Sequence, residues 1–263
     1  MPPAPPTPPG APNARRALLG GLAMALKLLA QRILPQADTA HEVAELAARA
    51  EELAAEAWKL GASRVPEPAR AAALQAEFQA FIEGAAELSA RAAHAAAAVR
   101  VVGEAIETHG TALSSLAQSP EADDLAVLRT RLRPMLATLE QLPDRLAAST
   151  ALAEDVAAMG TNAARLGGEA MAAQGHRIPA GEKALALNRS LRAIGQQAGT
   201  VAETLVAEGQ GLRGTIGRIA SHVGQIATGT AQANAESRLT QVVAAGTGTP
   251  TPPAGALDGA TRR

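Results

Sequence analysis

The chain has 263 residues, with 24 lysines and arginines against 25 aspartates and glutamates, no cysteine, and three aromatic residues, Trp58, Phe78 and Phe81. A charge balance this even excludes the strong single-sign field that selects nucleic acid or an acidic partner. The lack of cysteine excludes disulfides and thiolate metal sites, and so few rings argue against a compact globule with a ring-filled core.

Alanine, leucine, glutamate and arginine, all strong helix formers, dominate instead, and no useful run alternates as a strand would. The expected fold is all-α: an elongated antiparallel helical bundle or coiled coil of about five helices. Residues 1–13 are proline-rich without an apolar period and are expected to be a disordered tail. Residues 243–263, with Pro250, Pro252 and Pro253, read the same way. Between the tails, 14–61 is expected to form an amphipathic helix followed by a first heptad helix, and 65–242 a long coiled-coil-like bundle.

Residues 14–34 (ARRALLGGLAMALKLLAQRIL) lie in a stretch, Met1–Ala37, with four basic residues (Arg15, Arg16, Lys27, Arg32) and no acidic one. A membrane-spanning helix is one reading, opposed by Lys27 at its centre. A twin-arginine export signal is a second: Arg15-Arg16 precedes an apolar run, but Lys27 interrupts that run and no A-x-A site follows. The preferred reading is an amphipathic helix, with Arg16, Gly20, Lys27 and Gln31 on one face and Leu18, Leu22, Leu26, Leu29 and Ile33 on the other. It would dock on the bundle, or lie on a membrane surface with Arg15, Arg16, Lys27 and Arg32 at the headgroups.

Pro35 is expected to end this helix, with Asp38 and Thr39 as N-caps of the next. In that second helix Val43, Leu46, Ala50, Leu53, Ala57 and Leu60 repeat at spacings of three and four, and Gly61 closes it. The third helix carries the strongest signal, an unbroken seam of Leu74, Phe78, Phe81, Ala85, Leu88, Ala92, Ala95, Val99, Val102, Ile106, His109, Leu113 and Leu116. A seam this long needs equally long partners, in the same chain or in another copy. Ser119-Pro120 marks a turn, and Asp123 and Asp124 favour the next N-terminus. The fourth helix bears Leu125, Leu128, Leu132, Met135, Leu139, Leu142 and Leu146, weakens through Ala153, Val156, Gly160 and Ala163, and should kink at Pro134 and Pro143. Residues 174–181 form the clearest interior turn. A fifth helix over roughly 182–240 has a seam from Leu187 to Ile226 that includes Glu208, Thr215 and His222. Its many glycines imply either close backbone packing or a soft segment that changes packing.

Chemistry-bearing motifs are absent. His41, His94, His109, His176 and His222 share no metal-binding spacing. His109 and His222 occupy seam positions and are expected to meet as a register-fixing polar layer. Residues 175–183 (GHRIPAGEK) fail as a phosphate loop in spacing and in lacking a following Ser or Thr. No acid, base or nucleophile cluster appears. No enzyme activity, cofactor or metal is expected.

One stretch has a family likeness. Met159–Ala170 (MGTNAARLGGEA) resembles a reduced version of the signalling tip of methyl-accepting chemotaxis proteins, which has an Asn-Ala-Ala stretch followed by Ala-Arg-x-Gly-Glu. Leu185–Gly195 then sits where that family's returning helix has a Leu-Arg or Val-Arg pair, matched by Leu191-Arg192. The resemblance covers at most residues 110–240, and Gly175, Pro179 and Gly181 depart from the family's uninterrupted hairpin. It implies a partner-contact tip at Asn162, Arg165, Glu169 and Arg192, with a histidine kinase and its adaptor as partners.

The expected function is therefore a non-enzymatic, cytoplasmic signalling or scaffold bundle, chemoreceptor-like, acting through homo-oligomerisation and protein contacts, without nucleic acid. The alternative is a lipid- or granule-surface protein, phasin-like, held through 14–34.

Overall fold

Apolar stripes of nearly equal length dictate the architecture. In the computed structural model, which describes residues 11–61, 65, 67–173 and 181–228, they form α1 (Ala11–Gly61), α2 (Pro68–Gln118), α3 (Leu125–Ala173) and α4 (Glu182–Thr228). A 3-10 turn, Pro120–Asp123, joins α2 to α3, and no strand occurs among the described residues. The helices hold 51, 51, 49 and 47 residues, which makes each roughly 70–75 Å long at about 1.5 Å per residue. Residues 1–10, the segment 174–180 where the interior turn is expected, and everything beyond Thr228, including the 243–263 segment, lie outside the described residues.

The helices run up, down, up, down. At one pole Arg15 and Arg16 at the start of α1 bind Asp123 beside the start of α3, and Arg129 near the start of α3 donates to the carbonyl of Ala227 at the end of α4. At the other pole Glu56 of α1 pairs with Lys183 of α4, and Glu77 of α2 with Arg165 of α3. Contacts are most extensive within the α1–α2 and α3–α4 hairpins. Ser119 and Asp124 set the α2–α3 connection: each side chain accepts a hydrogen bond from a backbone N–H two residues on, at Glu121 and Ala126.

Among the described residues there are four α-helices where about five are expected, because Pro35 does not end the first. The segments on either side of it, Leu29 to Ile33 and Ala37 to Val43, contribute side chains with 0% exposure. Their combined burial outweighs the roughly 3 kcal/mol that an interior proline costs. Pro35 and Gln31, whose carbonyl loses its N–H partner, both face solvent. Asp38 and Thr39 are therefore mid-helix residues and not caps: Asp38 pairs with Arg100 of α2 at 2.6 Å, and Thr39 donates to the Pro35 carbonyl. Likewise α3 continues through Pro134 and Pro143. α1 packs against the other three helices as one wall of the bundle.

The seam of α2 is buried from Leu74 to Leu116 except at half-buried Phe81 and His109, and its partners are helices of the same chain. The core divides in two along the long axis. At the pole holding the start of α1, Leu22, Leu29, Ile106, Leu132, Leu139 and Ile219 typify a leucine-rich cluster. Towards the other pole alanine supplies 15 of 29 cluster residues, against 5 of 27 in the first. Helices there meet through small side chains and bury less apolar area per turn. Trp58 and Phe78, with ring centroids 6.0 Å apart, and Phe81 fill space in that half.

Glycine sets the closest approach of α3 and α4. A Cβ at Gly160 would lie 3.1 Å from the Gly195 carbonyl oxygen and against Ala198, and one at Gly195 would lie 2.8 Å from the Gly160 oxygen. By contrast a Cβ added at Gly199 or Gly217 would meet nothing within 4 Å. Of the expectations for the glycines of the last helix, close backbone packing is met at Gly195.

Two stability changes follow. Pro35→Ala should stabilise the fold by about 1–2 kcal/mol, the recovered hydrogen bond being partly offset by a freer unfolded chain. Gly160→Ala should destabilise it by about 1–3 kcal/mol through overpacking against a backbone that cannot yield. Thermal melts followed by circular dichroism would check both signs.

Candidate functional site: an open helix face and a buried polar layer

The seam between α2 and α3 is packed less extensively than either hairpin and is open to an approaching molecule. Three grooves lie along it, of about 980, 840 and 320 Å³. The largest is bounded by His109, Leu113 and Leu116 of α2 and Val127, Pro134 and Met135 of α3. The next lies between Ala90, His94 and Ala98 and Gln141, Arg145, Ala148 and Ala151. The third reaches Phe81, Gly84, Met159 and Asn162. Spacings of three and four on both helices keep one face of each turned to the groove. Val101, one turn beyond Ala98, is 63% exposed. The charges along it are mixed: Arg91, Arg131 and Arg145 against Glu87, Glu121, Asp144 and Asp155. Arg91 and Asp155 bridge it at 2.6 Å.

Of the tip residues, the structure brings three together. Asn162, Arg165 and Glu169 follow one another on α3, and the Arg165 guanidinium donates to Glu77 of α2 and to Glu169, both at 2.7 Å. Those hydrogen bonds, Glu77 first, raise the Arg165 pKa above its ordinary value. Arg165 is thus a clasp between α2 and α3. Arg192 is exposed on α4 and joins none of these contacts.

The basic residues of 14–34 do not share one surface. Arg15 and Arg16 turn to Asp123. The stem of Lys27 lies against Gly110 of α2, and the Arg32 guanidinium reaches Gly211 of α4. The apolar face opposite them, Leu18, Leu22, Leu26, Leu29 and Ile33, is at most 5% exposed and packs in the leucine-rich core. α1 also contains a stretch with mean hydropathy 1.5, apolar enough by composition to cross a membrane, and half of that stretch is buried in the bundle.

Between the two cores sits a polar layer made by residues other than those expected. His109 and His222 do not meet: His109 Nε2 lies 3.3 Å from Thr138 Oγ1 of α3, and His222 Nδ1 lies 2.8 Å from the Arg218 carbonyl of its own helix. Burial lowers the His109 pKa, favouring its neutral form. The layer is built instead from Gln36 and Thr39 of α1, Ser149 and Thr150 of α3, and Glu208 and Gly209 of α4. Gln36 and Ser149 are 0% exposed, and neither amide atom of Gln36 nor the Ser149 hydroxyl has a hydrogen-bond partner. Such groups cost roughly 1–3 kcal/mol each when buried. Gly209 allows the crowding: a Cβ there would strike Thr150 Oγ1 and lie 3.5 Å from Gln36 Nε2.

Glu208 is half-buried, and desolvation first, then the Asp38 charge, raise its pKa against the opposing effect of its Thr39 hydrogen bond. The single hydroxyl hydrogen of Thr39 serves two acceptors, the Pro35 carbonyl at 3.1 Å and Glu208 Oε2 at 3.3 Å. A proton on Glu208 relieves that competition, since the carboxylic O–H can donate to Thr39 Oγ1.

Among the described residues no group of three or more His, Asp or Glu side chains is arranged to hold a metal ion. No family model, curated protein or solved structure matches the chain.

The raised Glu208 pKa fixes a sign. Its folded state binds the proton more tightly than the unfolded state, so this contribution to stability is complete below the ordinary glutamate range and disappears as pH rises through the folded-state value. Glu208→Gln should therefore stabilise the protein at mildly alkaline pH and change it least under acid. Urea denaturation of both proteins at the two pH values reads the difference.

Proposed function

We propose that this chain is a non-enzymatic scaffold or signalling bundle that works by helix–helix contact, and that its α2–α3 face receives the same face of a second copy. The observation that carries the reading is the grooved, mixed-charge α2–α3 seam, which three grooves follow along much of its length. From Phe81 to Leu116 that face runs for about 50 Å, at about 1.5 Å per residue. Two helices, each offering a strip roughly 10 Å wide, give on the order of 1,000 Å² per partner. That exceeds the roughly 800 Å² per partner of a stable standard-size interface. A two-fold contact pairs a surface with itself, so it needs both signs of charge on one patch. The near balance of arginines and carboxylates along the seam meets that need, and favours neither nucleic acid nor an anionic lipid surface.

In its finer, chemoreceptor-like form, the proposal gives Asn162 a place in the contact and Arg165 the role of holding α2 and α3 at the spacing the partner reads. The lipid-surface reading of 14–34 is supported by the apolar stretch in α1, but demands that α1 first leave a core in which its leucines are buried.

Light scattering of the full chain at micromolar concentration should give twice the monomer mass. Ala90→Arg and Ala151→Arg, both at exposed positions in the groove, should halve that mass with helicity unchanged. A wild-type monomer, or a dimer indifferent to both substitutions, would overturn the proposal. Salt-sensitive binding to anionic vesicles, lost when 14–34 is deleted, would favour the lipid reading.

A further inference from the structure

Two independent observations meet at one level of the bundle. The first is the pair of fully buried, unpartnered polar side chains, Gln36 and Ser149, at the junction of the two cores. The second lies in α4 beside them: Gly209, Gly211, Gly214 and Gly217 fall within nine residues. Of these, only Gly209 lies in close contact with the layer; Gly217 has open space around it, and Gly211 and Gly214 approach only arginine side chains. Buried polar groups without partners make a packing costly, and solvent-facing glycines make a helix easy to reshape. A core without such features has one deep minimum; here the cost and the softness coincide.

We infer that the mid-bundle layer is a conformational switch, at which the α4 segment from Glu208 to Gly217 exchanges between two packings on α1 and α3. The packing described here leaves Gln36 and Ser149 unpaired, and the other gives them hydrogen-bond partners. The division of the core assigns the device its purpose. On α4 the alanine-rich cluster ends at Leu205, and the leucine-rich cluster begins within the segment itself, at Leu212 and Ile216. Residues up to Leu205 hold α4 in register on one side, and Ile219, Val223 and Ile226 hold it on the other, while the segment between changes. A shift there alters the relation of one pole to the other by repacking Leu212 and Ile216 while the rest of both clusters keeps its contacts. This is a discrete two-state element of the kind that coupling between distant sites requires, and it stands independently of the second-copy contact.

The chain has no cysteine, so a pair introduced for spin labels is unique. Labels at Gln210 of α4 and Glu140 of α3, both at exposed positions, should give two distance populations by pulsed electron resonance in the full chain. Gln36→Leu should collapse them to one, because an apolar side chain gains nothing from the second packing. Ser149→Ala is the smaller companion change and should shift the ratio the same way. Hydrogen exchange should be at least tenfold faster over 208–217 than over 191–202, and Gln36→Leu should remove most of that difference. A single distance in the parent protein overturns the inference. So do two distances that persist unchanged in both variants. Gly217→Ala separates the causes: if it alone suppresses fast exchange while Gln36→Leu and Ser149→Ala do not, softness without a switch is the answer and the inference fails.

Discussion

An apolar stripe some 70 Å long has to be covered along its whole length, and this requirement governs the rest of the structure. A short element would leave part of α2 in water, so every helix that packs on it must be nearly as long. The chain meets the condition internally, by folding back at three points into four rods of 47 to 51 residues. The same requirement explains why proline fails as a stop signal within α1 and α3. Ending either helix would uncover leucines over several turns, a larger loss than one hydrogen bond.

Within that frame the two ends of the rod are built differently. The leucine-rich half gains area per turn, whereas the alanine-rich half gains close approach and relies on Phe78 and its neighbours to fill what alanine leaves. Ion pairs such as Arg91–Asp155 and Arg100–Asp38 are half-exposed and contribute about 0–1 kcal/mol each. Their role is to fix which turn meets which, since a stripe of alanines is nearly the same after a slip of one repeat. The polar layer adds a second mark of register at the midpoint, at a cost in stability.

How much was legible from the residues alone can be judged at particular positions. The seam positions of α2, α3 and α4 are largely those the spacing gave, because burial of a three-four repeat leaves little choice of face. The expected helix end at Pro35 follows its local preference, and among the described residues packing overrides that preference. A helix end there conceals Gln36. Once α1 is continuous, Leu29, Ile33, Gln36, Ala40 and Val43 form one rhythm with a polar residue in its centre. Ser149 was visible in the same way, midway between Leu146 and Ala153 on the seam of α3. The expected meeting of His109 and His222 failed because both occupy the edge of a helix face, where the partner is decided by rotation and not by spacing. The α2–α3 face could not be read at all. It depends on how far apart two helices stand, and a sequence pattern states which side is apolar but not how tightly it is closed.

The two ends of the described fold, the first turn of α1 and the last turn of α4, lie at the same pole, next to the Asp123 clasp and the Ala227 carbonyl. A mechanical load applied between them would not pull along the rod. It would pry α1 from α4 at their shared end, breaking contacts one turn at a time, as a zipper opens. A load applied between opposite poles would instead strain every layer of a seam at once. The bundle is therefore compliant to tension between the start of α1 and the end of α4 and stiff to tension along its axis.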